Sequence, residues 1–119
     1  MKGPKSKRFA AKLLFQFLVV VDGKSSKRRT CEERTVIFTT TSARAALAAA
    51  RRRGRAARLR YENDQGNSVD FQFVGVTDLL CLGPECTADE VWYDVREMVR
   101  PMERRESILP TDAALLARA

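Results

Sequence analysis

A chain of 119 residues suits one domain, and at that size a core can be buried without metal or disulfide staples. Hydrophobic residues make up 45%, which argues against wholesale disorder, and histidine is absent, which removes the commonest general base and the commonest metal ligand. The net charge of +7 hides a division: residues 1–60 carry 17 Lys/Arg against 3 Asp/Glu, and residues 61–119 carry 5 against 12.

Residues 1–8 read as a basic, flexible arm. The arm and the run after it imitate a signal peptide, but Lys12 and Gln16 interrupt the apolar stretch, no small-x-small site follows Val21, and the run is too short to span a membrane. A strand explains Phe9–Val21 better. Phe9, Ala11, Leu13, Phe15, Phe17, Val19 and Val21 alternate onto one uniformly apolar face. Asp22-Gly23 is the strongest turn signal, and Lys27–Arg29 is a charge run. Glu33–Thr41 is rich in β-branched residues and predicts a second, antiparallel strand.

Ser42 is a good N-cap for a helix over Ala43–Arg53, which Ala and Arg dominate and which Gly54 would end as a C′ residue. Its apolar face of Ala43, Ala46, Leu47 and Ala50 is small, so the helix should lie close to its support. Arg58–Glu62 reads as a short strand and Asn63–Asn67 as a turn. Ser68–Leu82 reads as a long strand in which Gly75 marks a bulge or a close backbone approach. Asp89–Val99 reads as a strand, against a helical alternative capped by Thr87 and Glu90. Pro101 closes it, and Asp112–Arg118 predicts a short C-terminal helix. The order ββαβββ implies an α+β fold: a mainly antiparallel sheet of about five strands with one main helix on one face. Residues 9–99 form the single domain of this reading, and 100–119 its tail.

Ala11-Lys12-Leu13-Leu14-Phe15, then Glu32–Val36, the Ala-rich helix after Ser42, Tyr61-Glu62-Asn63 with Gly66, Phe73–Leu79 and Glu90–Tyr93 follow one pattern in order. Over Phe9 to Arg96 the chain resembles the DUF4288 family, small bacterial proteins of unknown function. It departs in its helix, richer in Arg and poorer in Glu, and in the tail after Val99. The resemblance implies a bacterial, cytoplasmic origin and transfers no catalytic residue.

The sharpest candidate feature is the arginine cluster of Arg44, Arg51, Arg52, Arg53, Arg55, Arg58 and Arg60. Arg44, Arg51 and Arg55 share one helical stripe, and Arg44, Arg51, Arg52, Arg55 and Arg58 are the candidate nucleic-acid or anion contacts, with Lys27–Arg29 nearby. A solvated face, or one that pairs with acidic partners, explains the same residues, and no aromatic residue interleaves them between Thr39 and Arg60. Glu32 and Glu33 point to opposite faces, as do Asp89 and Glu90, so neither pair is an acid/base dyad; surface charge is the expected role. Cys31, Cys81 and Cys86 lack disulfide or zinc spacing and read as reduced cytoplasmic thiols. Arg28 and Arg29 could depress Cys31, and Cys81 reads as a buried strand residue. No glycine-rich phosphate loop exists, so no cofactor, metal or catalytic residue is assigned. Trp92 and Tyr93, on opposite sides of a strand, supply one candidate interface residue.

The favoured reading is a non-enzymatic interaction module that binds a protein partner or itself, its basic and acidic halves neutralising each other in the fold or across a dimer. The alternative is a nucleic-acid-binding accessory protein that uses the arginine helix.

Overall fold

A computed structural model describes residues 6–83 and 92–119, with backbone only at 92–95 and 118. Its elements are β1 (Lys7–Val21), β2 (Lys24–Ser25), β3 (Arg28–Thr40), α1 (Ala43–Ala56), β4 (Leu59–Glu62), β5 (Ser68–Leu82), β6 (Trp92–Val99), α2 (Arg105–Ile108) and α3 (Asp112–Arg118). The strands form one sheet in the order β4-β5-β1-β3-β6, with β2 against β1, and every pairing is antiparallel. The α+β architecture expected from the sequence is the one found. The capping alternative at Thr87 and Glu90, the Asp89–Glu90 pair and Cys86 lie outside the described residues.

Local chemistry explains the turns. Asp22 and Gly23 both have positive φ, 51° and 77°, and join Val21 to its partner Lys24. Two such residues make the hairpin turn whose twist matches that of the strands. Between β4 and β5, the Asn63 side-chain carbonyl accepts from the backbone N–H of Gln65 and of Asn67, each at 3.0 Å. Ser42 caps α1 through the Ala45 N–H at 3.1 Å, and Thr111 caps α3 through Ala114 at 3.1 Å.

One face of the sheet carries the main core: Phe9, Ala11, Leu13 and Phe15 of β1 meet Ala46, Leu47 and Ala50 of α1, with Leu115 of α3 beside them. Each fully buried Phe or Leu here contributes roughly 2–3 kcal/mol of apolar transfer energy. A smaller cluster on the opposite face, Leu14, Cys31 and Val74, is covered by Met98, Met102 and Ile108. Residues 100–110 therefore act as a strap. Buried Pro101 lies in it, and Leu109 rests on Gly75 so closely that a Cβ there would sit 2.4 Å from its Cδ1. The β1–β5 register shifts on both sides of Leu14 and Gly75, so Gly75 marks an irregularity and a close approach together.

Four sequence expectations need correction. The arm read over residues 1–8 does not include Lys7 and Arg8, which open β1 and pair with Thr40 and Thr39. The second strand begins at Arg28, not Glu33, because the basic run is built into the sheet: Arg29 is 8% exposed and donates to Ser26 O, Gln16 Oε1 and Glu103. The helix does not stop at Gly54. It runs to Ala56, and Gly54 is a buried interior residue that admits the Phe73 ring. The strap includes a one-turn helix, α2, that the sequence pattern did not predict.

Candidate interaction surface

Fifteen-residue strands reach about 50 Å at roughly 3.3 Å per residue. A fourteen-residue helix reaches only about 21 Å. One main helix therefore cannot cover the apolar face it sits on. Beyond its C-terminal end the face continues as Phe17, Val19 and Val21 of β1, Phe71 of β5, and Leu59 and Tyr61 of β4, which pair with Phe71 and Val69. Leu59 is 58% exposed, Val21 47% and Tyr61 41%, three of the most exposed large apolar side chains in the molecule's described part.

The upper end of this strip is an aromatic stack. Phe15 and Phe71 lie 4.7 Å apart at 12°, and Phe17 meets Phe71 at 4.8 Å and 51°. The Arg34 guanidinium sits over both Phe15 and Phe71, 5.2 Å from each centroid, and is held by an ion pair with Glu32. It divides a groove into two lobes. One, of about 510 Å³, is lined by Phe15, Glu32, Arg34 and Arg53. The other, of about 400 Å³, is lined by Phe17, Leu59, Tyr61 and Phe71. Such a floor accepts apolar anchors on either side of a fixed cation.

Arg34 was not among the residues the sequence singled out. Its signals were its place in the Glu32–Val36 stretch and alternation, since Glu32, Arg34, Val36 and Phe38 share one side of β3. Glu32 and Glu33 do face opposite ways, but neither is ordinary surface charge: their side chains are 12% and 11% exposed. Carboxylates so little exposed need a partner. Glu33 accepts from Thr77 Oγ1 at 2.6 Å and from Arg96 at 3.4 Å.

The arginine candidates divide. Arg51 makes a bidentate pair with Asp112, and Arg58 one with Asp70, which Arg60 also approaches at 3.4 Å. The Arg58 hydrogen bond holds the Asp70 carboxyl below its usual range, and the Arg51 bond does the same for Asp112. Arg44, Arg52 and Arg55 are exposed, with no ion pair among the described residues. Lys27–Arg29 does not extend the helical cluster, because Arg29 turns to the opposite face of the sheet. Cys31 is fully buried, and burial raises its thiol pKa despite Arg96 and Arg29, which reverses the expected activation. Cys81 is half-buried. Trp92 and Tyr93 fall at the start of β6, in register with Thr35 and Arg34.

A family model described as a domain of unknown function, DUF4288, matches residues 8–91. The chain belongs to the DUF4288 family. The matched DUF4288 segment runs from the second residue of β1 to the residue before β6, so β6 and the strap lie beyond it. No curated protein and no solved structure matches the chain. No helix among the described residues is long and apolar enough to cross a membrane, and no cluster of three or more His, Cys, Asp or Glu there is placed to hold a metal ion.

Proposed function

We propose that this DUF4288 protein is a non-enzymatic interaction module whose bare apolar strip docks a protein, and that the occupant is a second copy of the chain. The observation that carries the reading is the half-covered sheet face with Leu59, Tyr61 and Val21 open to water, because contiguous exposed apolar surface is disfavoured on a monomer. Charge selects the partner. Arg52 and Arg53, with no ion pair among the described residues, lie at the helical end of the strip, whereas Glu62 and Asp64, with no basic residue between Glu62 and Ser68, lie at the β4–β5 end. A two-fold axis through the strip sets each basic end against the other copy's acidic end. Free thiols at Cys31 and Cys81 suit a reducing, cytoplasmic setting, and the family resemblance suits a bacterial one.

Sedimentation of the purified chain across a concentration series tests this. The expected result is a monomer–dimer equilibrium that Leu59→Asp and Tyr61→Asp abolish with unchanged circular dichroism. Wild type that stays monomeric at all concentrations would overturn it.

The alternative, a nucleic-acid accessory protein, rests on exposed Arg44, Arg52 and Arg55, which have no ion pair among the described residues. Phosphate-directed binding would weaken steeply with salt, so an oligonucleotide titration at rising ionic strength separates the two readings.

A further inference from the structure

On the outer flank of the sheet, β4 pairs with β5 only as far as Phe71. From Gln72 onward the outer margin of β5 has no neighbouring strand among the described residues. The strap crosses this margin at Leu109 and Pro110 on its way to α3. Between the strap, the margin and α1 lies a cleft of about 310 Å³ whose wall holds Arg51, Arg55 and Arg105, over a floor of Phe73, Met102 and Leu109. It continues past Arg55, Phe73 and Met102 into a second space of about 280 Å³ that Arg58 and Gln72 line. Four arginines from three segments of chain thus face adjoining cavities, and no carboxylate among the described residues lines either.

Asp112 and Asp70 offset the charges of Arg51 and Arg58, whereas Arg55 and Arg105 have no ion pair among the described residues, and an anion between these two would relieve their repulsion. Three of the four are braced: Arg51 by Asp112, Arg58 by Asp70, and Arg105 by its bond to Met102 O at 2.8 Å. Bracing fixes guanidinium geometry before a ligand arrives, which lowers the entropy cost of binding. Arg55 has no ion pair among the described residues and faces both cavities. Val74, Gly75 and Val76 line the same cleft, and an unpaired strand margin presents N–H donors. Planar guanidinium forks with backbone N–H groups recognise phosphoryl oxygens.

We infer that this cleft binds the phosphoryl group of a small organic phosphate, with Arg55 as its principal contact, Arg51 and Arg105 as flanking donors, and the Phe73–Met102 floor under the apolar part of the ligand. The cleft volume suits a small ligand and not a duplex.

The test is calorimetric titration at constant ionic strength with phenyl phosphate and inorganic phosphate. The expected result is binding of both, phenyl phosphate the tighter, with a loss of about tenfold or more in Arg55→Glu and in Arg105→Ala. Arg52→Glu makes the same charge change as Arg55→Glu outside the cleft and should leave affinity unchanged. All three residues are exposed, so the variants should fold. Absence of phenyl phosphate binding would overturn the site, as would equal losses in Arg52→Glu and Arg55→Glu, which would indicate a diffuse positive field. A single-stranded oligonucleotide that binds without competition from phenyl phosphate would assign the phosphate contacts to a nucleic-acid surface instead, and would equally overturn it. None of these outcomes depends on dimerisation.

Discussion

Adding one methyl group at position 54 sets helix propensity against packing. Gly54 lies inside the last turn of α1, where alanine ordinarily stabilises a helix by about 1 kcal/mol. Here a Cβ would stand 2.3 Å from Phe73 Cδ1, 2.4 Å from Cε1 and 2.6 Å from Cγ. Carbon pairs are comfortable near ~3.5–4.0 Å, so the ring or the helix must retreat by more than about 1 Å. Overpacking of this kind costs typically ~1–3 kcal/mol. The ring has cleft space beside it, which keeps the cost within that range. The net expectation for Gly54→Ala is a loss of about 0–2 kcal/mol, or up to roughly 8 °C in Tm for a domain of this size. Urea unfolding followed by circular dichroism measures it. In the Phe73→Leu background the same substitution should cost less, because the planar ring is gone, and the cycle gives the coupling directly. A Gly54→Ala variant more stable than wild type would refute the reasoning, since it would mean that the helix does not approach β5 as closely as described.

Arg29→Ala should destabilise the chain by about 2–3 kcal/mol in the same assay. That is less than the ~3–5 kcal/mol of a wholly buried pair, because Glu103 keeps half its side-chain surface in water. Limited proteolysis should then cut within residues 100–110, which Arg29 ties down through bonds of 2.6 and 3.0 Å to Glu103. Hydrogen bonding from Arg29, Arg58 and Arg51 lowers the folded-state pKa of Glu103, Asp70 and Asp112 respectively. A depressed carboxylate stabilises the fold above its unfolded pKa of about 4 and loses that contribution as pH falls through the folded value. Stability should therefore hold from neutrality to about pH 5 and drop below about pH 4, with a shallower acid limb in Glu103→Gln.

The fold was legible where side-chain periodicity is unambiguous. The seven alternating apolar residues of Phe9–Val21, Ser42 ahead of the alanines, and Asp22-Gly23 each act through local chemistry, and each formed the element expected. What was not legible depended on partners far along the chain. Arg28 and Arg29 resemble a solvated loop until Gln16 and Glu103 are seen to receive Arg29. Gly54 resembles a helix stop until Phe73 is seen to fill the gap it leaves. The arginine cluster was visible, but its division into residues neutralised by Asp70 or Asp112 and residues left free requires tertiary contacts. The bare strip was implicit in element lengths, since fourteen helical residues cannot span strands of fifteen. Its apolar residues were read instead as core because alternation reports a face and not what covers it.

The strap has a consequence for how the sheet could have come to be closed off. A segment that ended at residue 91, where the family match ends, would contain neither β6 nor Met102, Ile108, Leu109 and Pro110. Leu14, Cys31 and Val74 would then be wetted, and the outer margin of β5 would be a sticky template for stray extended chains. The last twenty residues thus work as a gasket and a bumper at once, sealing a seam of thiol and aliphatic carbon while a proline stands across the path of any incoming strand.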